Sequence, residues 1–294
     1  MSQEDRHLMP HDVRHPPERG FSPIQTPQSV AFAPRRVLAI VLRHTYVLKS
    51  SFPRLLELAY WPTVQMVLWG FITTFFVSHS SWVAEAFGVL LAGVLLWDVM
   101  FRGNLGLSIS FMEEMWSRNL GHLFVSPLRP YELVASIMTM SFIRTVVGIV
   151  PATLLAIVFY EFNIYGLGLP LVTFFANLLV FGWVIGLLVS AMILRFGLGA
   201  ESLAWVAIFA FGPLSGIYYP IDTLPGWLQP VAWAMTPAYV FEGMRAVLFD
   251  GVFRWDLFGG AVALNVLYLG AATLVFLRTF TTARKLGLLL DVGE

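Results

Sequence analysis

Six stretches of this chain stay apolar for about the 20 residues that an α-helix needs to cross the hydrocarbon of a bilayer. They run about 58–78, 86–111, 131–160, 169–194, 200–219 and 257–279. The pattern predicts an all-α, polytopic membrane protein with six transmembrane helices and no internal repeat. Three further segments carry a different pattern. Residues 35–56 interleave Val37, Leu38, Val41, Leu42, Leu48, Leu55 and Leu56 with Arg35, Arg36, Arg43, Lys49 and Arg54. Such a helix lies in the headgroup layer with its basic side chains on phosphates, and Pro53 is expected to break it before the first span. Residues 112–124 form a polar island between two long apolar helices. Met115, Leu120, Leu123 and Phe124 are spaced for one helical face, and Pro127 and Pro130 stop the helix. This predicts a short helix on the membrane surface, either an ordinary interfacial helix or the place where a soluble partner pushes on the buried part. Residues 221–249 are apolar and aromatic but broken by prolines. They cannot span, and are expected to dip in and return as two short helices, with Pro237 in the first turn of a helix that carries Glu242 and Arg245.

Composition sharpens the class. Of 294 residues 57% are hydrophobic and 12% charged, with mean hydropathy +0.74; a soluble domain carries about 25% charged residues. Net charge is zero, so no global field favours nucleic acid. The absence of cysteine excludes disulfides, thiolate metal sites and a cysteine nucleophile. Residues 1–34 hold six of the 17 prolines and no apolar core of the signal-peptide kind, and are expected to form a disordered cytoplasmic tail. His7, His11 and His15 have a helical metal-ligand spacing, but Pro10, Pro16 and Pro17 oppose a helix there, so a solvated tail is the preferred reading and no metal site is expected. Residues 286–294 are expected to be a second cytoplasmic tail.

Basic residues set the orientation. Fourteen of the 18 Lys and Arg fall before the first span, between spans two and three, between four and five, or after the sixth. Arg245 and Arg254 alone lie on the other side. Both termini and the polar island are therefore expected in the cytoplasm.

Asp98, Arg102 and Arg144 lie within spans, where charge is costly and normally faces the bundle interior. At about 1.5 Å per residue, Asp98 and Arg102 sit roughly 22 and 16 Å from the level of Glu113, and Arg144 roughly 18 Å from that of Glu132. Antiparallel neighbours would bring the three to similar depth. One acid and two bases fit a packed structural cluster, the favoured reading; the alternative is that spare positive charge lines a path for an anionic headgroup or sugar.

No stretch matches G-x-x-x-x-G-K-[ST]: the two lysines, Lys49 and Lys285, follow no glycine loop. No H-E-x-x-H or G-x-S-x-G occurs either, and His122 beside Glu113 and Glu114 reads as a surface side chain rather than a catalytic one. The chain is thus expected to do no catalysis itself and to bind no cofactor.

Two places resemble the integral membrane subunits of ABC-2 type transporters. One is Glu114-Met-Trp-Ser-Arg118 through Ser126-Pro127-Leu and Glu132; the other runs from Gly216-Ile-Tyr-Tyr-Pro220 through Leu224-Pro225-Gly-Trp227 and Thr236-Pro237 to Arg245. The likeness covers roughly 35–285, and the proline-rich tail departs from it. The resemblance implies a homodimeric permease in a bacterial inner membrane, worked by two separate ATPase subunits that bind the ATP and Mg. It implies that Glu113, Glu114, Trp116, Arg118, Asn119 and His122 belong to a coupling helix against the ATPase, and that 35–56 is an interface helix also touching it. Tyr218, Tyr219, Pro220, Leu224, Pro225, Trp227 and Pro237 would then belong to a re-entrant gate on the outer side. The function implied is export of a lipid-linked glycan, a lipid or a hydrophobic compound. Two other classes compete. A membrane-embedded lipid-modifying enzyme would need clustered His, Asp or Glu at the interface, and an ion-driven secondary transporter would need repeat symmetry and more midplane charge; the sequence offers neither.

Overall fold

The computed structural model describes residues 32–79, 81–120, 123 and 128–286. The expectations for the two tails, the three tail histidines, His122 and Ser126-Pro127 fall outside them. The described helices belong to one compact unit, Ala33–Glu294. Among the described residues every regular element is a helix, with no strand.

Helix α1, Pro34–Lys49, begins with Pro at its first turn and buries Val41, His44 and Leu48 on one face. It ends at Ser50-Ser51 rather than at Pro53. Pro53 instead sits in the first turn of α2, Phe52–His79, where its missing N–H would have had no intrahelical partner. The expected single helix 35–56 is therefore two pieces with a corner between them.

Five helices are long and apolar enough to cross a membrane, and the protein is multi-pass. They are α2, α3 (Ser81–Trp116), α4 (Pro130–Tyr160), α5 (Leu169–Phe196) and the last helix, α9 (Trp255–Leu286). Helices α3 and α5 form the centre: 89% and 78% of their most apolar windows are buried, against 17–33% in the other three. Glycine lets them approach. A Cβ on Gly182 would lie 2.5 Å from the Met100 carbonyl oxygen, and one on Gly103 3.0 Å from that of Leu179, the close backbone packing typical of helices in lipid.

The fifth predicted span, 200–219, is shorter than expected. Helix α6 covers Leu203–Phe211 and tightens into a 3-10 turn at Gly212–Leu214. Leu203–Leu214 would reach about 18 Å, well short of the ~30 Å hydrocarbon layer. Gly197 before it and Gly216 after it adopt positive φ (80° and 69°), so the chain turns at both ends.

Residues 221–249 do fold as short pieces. A 3-10 turn at Ile221–Thr223 leads to α7, Gln229–Trp233, and α8, Thr236–Asp250, which carries Pro237 in its first turn. Buried amides anchor α8 to the bundle. Thr236 Oγ1 donates to Asn265 Oδ1 (3.0 Å), and Asn265 Nδ2 donates to Asn177 Oδ1 (2.8 Å), tying α8, α9 and α5 together.

Candidate functional site

The polar island is not a free surface helix from its first residue. Met112–Trp116 is the last turn of α3, and the chain reverses only after it. The reversal is a Schellman motif: Arg118 N–H donates to the Met115 carbonyl (2.9 Å) and Asn119 N–H to that of Glu114 (3.0 Å). Arg118 occupies its left-handed position with φ 53°, where glycine is usual. The Asn119 side chain reinforces the turn by donating to Glu114 Oε2 at 2.7 Å.

This turn separates the six predicted coupling residues. Trp116 and Arg118 are exposed, Asn119 half-buried, and Glu114 fully buried at 0% exposure. Glu114 accepts from Arg43 Nη2 at 2.5 Å, and His44 Nε2 lies 3.1 Å from the same oxygen without hydrogen-bond alignment. Glu113 lies 2.7 Å from Arg144 Nη2 and 3.6 Å from Arg54 Nη1. The two carboxylates therefore face their own chain, not outward.

A third carboxylate completes this belt. Glu132, fully buried in the first turn of α4, accepts from the Arg129 N–H (3.0 Å), the Ala33 N–H (2.9 Å) and Arg36 Nη1 (3.3 Å). Helix α1 is thus pinned to the ends of both α3 and α4. Arg36, Arg43 and Arg54, expected on lipid phosphates, meet carboxylates instead. The available signal was spacing: Arg36 and Arg43 are seven apart, two turns along one face of α1. It shows that they share a face but not what that face meets.

The intramembrane cluster also divides. Arg102 Nε donates to Asp98 Oδ2 at 2.6 Å within α3. Arg144 does not join them but pairs with Glu113. Arg102 and Arg144 do lie at neighbouring levels of α3 and α4, since Ser141 Oγ donates to the Gly103 carbonyl at 2.9 Å, but the long Arg144 side chain runs along the helix to Glu113 instead of joining Asp98. Arg102 still touches α4: a Cβ on Gly148 would collide with its guanidinium.

Between these pairs lies a cavity of about 310 Å³. Arg54, Glu57 and Trp61 of α2, Arg102 and Glu113 of α3, and Arg144 of α4 line it, with Glu201 and Trp205 on the α6 side. Among the described residues no group of three or more His, Asp or Glu is arranged to hold a metal ion.

At the other end, Tyr218 stacks on Trp69 of α2 with ring centroids 4.8 Å apart, and Tyr219 Oη donates to the Pro213 carbonyl at 2.5 Å. Pro220 and Pro225 are exposed, Leu224 half-buried, Trp227 exposed and Pro237 buried. The predicted gate residues thus range from exposed to buried. What holds the segment is a pair not among them. Glu242 Oε1 accepts the Ile221 N–H (2.8 Å) and Arg245 Nη2 (2.9 Å), while Arg245 Nη1 donates to the Gly216 carbonyl (2.7 Å).

No curated protein matches the chain. The family model described as ABC-2 type transporter matches residues 49–249, a stretch that includes the α3 turn, the cavity-lining parts of α2 to α6 and the Glu242–Arg245 staple. The chain therefore belongs to the ABC-2 type transporter family, as the transmembrane component of an ABC transporter that partners an ABC ATPase.

Proposed function

We propose that this chain is the permease half of an ATP-driven exporter, working as a homodimer with two ATPase subunits in a bacterial inner membrane, with both termini cytoplasmic. The observation that carries the reading is the belt of Arg43–Glu114, Arg54–Glu113, Arg144–Glu113 and Arg36–Glu132 contacts. It makes α1 and the ends of α2, α3 and α4 one mechanical unit. A push on the exposed Trp116-Ser117-Arg118 tip would be transmitted along α3, the central and most buried span. Trp116 and Arg118 are the contacts to the ATPase; Glu113, Glu114 and Asn119 hold the tip in place behind them. The segment 221–249 is the outer closure of the path, with Tyr218 against Trp69 as its seam. The substrate is an amphipathic or apolar molecule, in keeping with a cavity bounded by both tryptophan and charge.

Co-purification tests the reading. Tagged wild-type chain should retain its ATPase. Arg118→Glu should release it while leaving the melting midpoint in detergent unchanged. Full retention of the ATPase, with normal substrate-stimulated hydrolysis, would remove the tip from the contact.

A further inference from the structure

The cavity beside α3 holds cationic donors for which the described residues provide no acceptor. Arg144 is 6% exposed, yet its Nε has no hydrogen-bond partner. Arg102 is 7% exposed and uses Nε on Asp98; its two terminal nitrogens make no hydrogen bond among the described residues. Both side chains line the cavity. They are also neighbours: the Arg102 guanidinium lies on Gly148, one turn of α4 and about 6 Å from Arg144. Glycine at 148 leaves the flat space in which that guanidinium rests.

A buried guanidinium donor such as Arg144 Nε is costly to leave unmade, and intramembrane charge marks a functional site by default. Acids are present too, but they are placed differently. Glu113 is engaged by Arg144 and Arg54, whereas Glu57 is exposed and Glu201 half-buried. The deep part of the cavity is therefore donor-rich, and its more exposed parts combine acids with the half-exposed indoles of Trp61 and Trp205. A volume of about 310 Å³ is at the lower end of small-molecule sites. It suits a headgroup rather than a whole lipid.

We propose that this cavity binds the anionic headgroup of an amphipathic molecule, with a phosphate or carboxylate received between Arg102 and Arg144 and the apolar part lying toward the tryptophans. The proposal names the substrate class of the exporter suggested above and rests on that reading for its biological meaning. Binding by itself is measurable without any ATPase.

The test uses the full chain in phosphatidylcholine nanodiscs, with tryptophan fluorescence as the readout and empty discs as the blank. Four probes are titrated: hexyl phosphate, hexyl glucoside, hexyltrimethylammonium and inorganic phosphate. Hexyl phosphate should saturate at a concentration at least tenfold below each of the others, as expected for one or two charge-assisted hydrogen bonds. The double variant Asp98→Asn/Arg102→Gln, which removes the pair without leaving a lone charge, should weaken hexyl phosphate about tenfold and leave the glucoside unchanged. Gly148→Ala, which displaces the guanidinium, should weaken it in the same direction. Equal or tighter binding of the glucoside or the ammonium compound would overturn the proposal, as would no saturable response. Inorganic phosphate binding as tightly as hexyl phosphate would overturn its amphipathic part. If hexyl phosphate binds as expected and ATPase co-purification fails, the exporter reading falls while the site stands.

Discussion

Arg144 turns away from Asp98 and reaches Glu113, 2.7 Å from its Oε2, across the interface of α4 with α3. That choice leaves Asp98 to Arg102 and splits one expected cluster into two separate ion pairs. It also places a guanidinium between the carboxylate belt and the cavity.

The Arg144–Glu113 contact should be strongly cooperative. Removing one partner from a buried pair costs about 3–5 kcal/mol, softened here because Glu113 keeps Arg54 at 3.6 Å. Arg144→Gln is expected to lower the melting midpoint in detergent and reduce accumulation in the membrane. Glu113→Gln on top of it should recover part of the loss, with a coupling of about 1–3 kcal/mol in a double-mutant cycle. Additive losses would mean that the pair is not an energetic unit.

Arg118 offers a separation of stability from function. A non-glycine residue in the left-handed region costs about 1–2 kcal/mol, and Arg118 sits there with φ 53°. Arg118→Gly should therefore raise the melting midpoint by a few degrees, while ATPase co-purification falls. A lower midpoint would show that the side chain stabilises the turn by more than the backbone conformation costs.

The Glu242–Arg245 staple should hold the 216–224 stretch in place. Glu242→Gln weakens the partner of both Ile221 N–H and Arg245. Hydrogen exchange at residues 216–224 is expected to rise about tenfold, corresponding to roughly 1.4 kcal/mol of local opening, with exchange in α3 and α5 unchanged. A global rise would mean that the staple supports the whole bundle.

Gly182 tests the core. A methyl group there meets backbone, the Met100 carbonyl oxygen at 2.5 Å, and backbone cannot swing aside. Gly182→Ala is expected to destabilise by about 1–3 kcal/mol, the usual cost of overpacking, seen as a lower melting midpoint. A neutral Gly182→Ala would mean that α3 and α5 can separate slightly without loss, contrary to tight packing of the central pair.

Hydropathy by itself determined that the chain is a helical multi-pass membrane protein, and where four of its long helices lie to within a few residues at most ends: α2, α4, α5 and α9. That follows because the cost of burying backbone in lipid leaves only one local solution, a helix about 20 residues long. The missing P-loop and the Pro-rich pieces after α6 were legible for the same reason, since both depend on residues close together in sequence. The corner at Ser50-Ser51, the short α6 and the inward facing of Glu113 and Glu114 were not. A proline reads as a helix breaker wherever it stands, and Pro53 happens to stand where a helix begins. An apolar run reads as a span even when glycines at both ends shorten it. Partners for Arg36, Arg43, Arg102 and Arg144 were decided only by tertiary structure, because one-dimensional spacing tells which residues share a helix face and is silent on which helix that face meets. The charges were plain in the sequence; packing α1 and α4 against α3 chose which of them cancel and which are left pointing into a cavity.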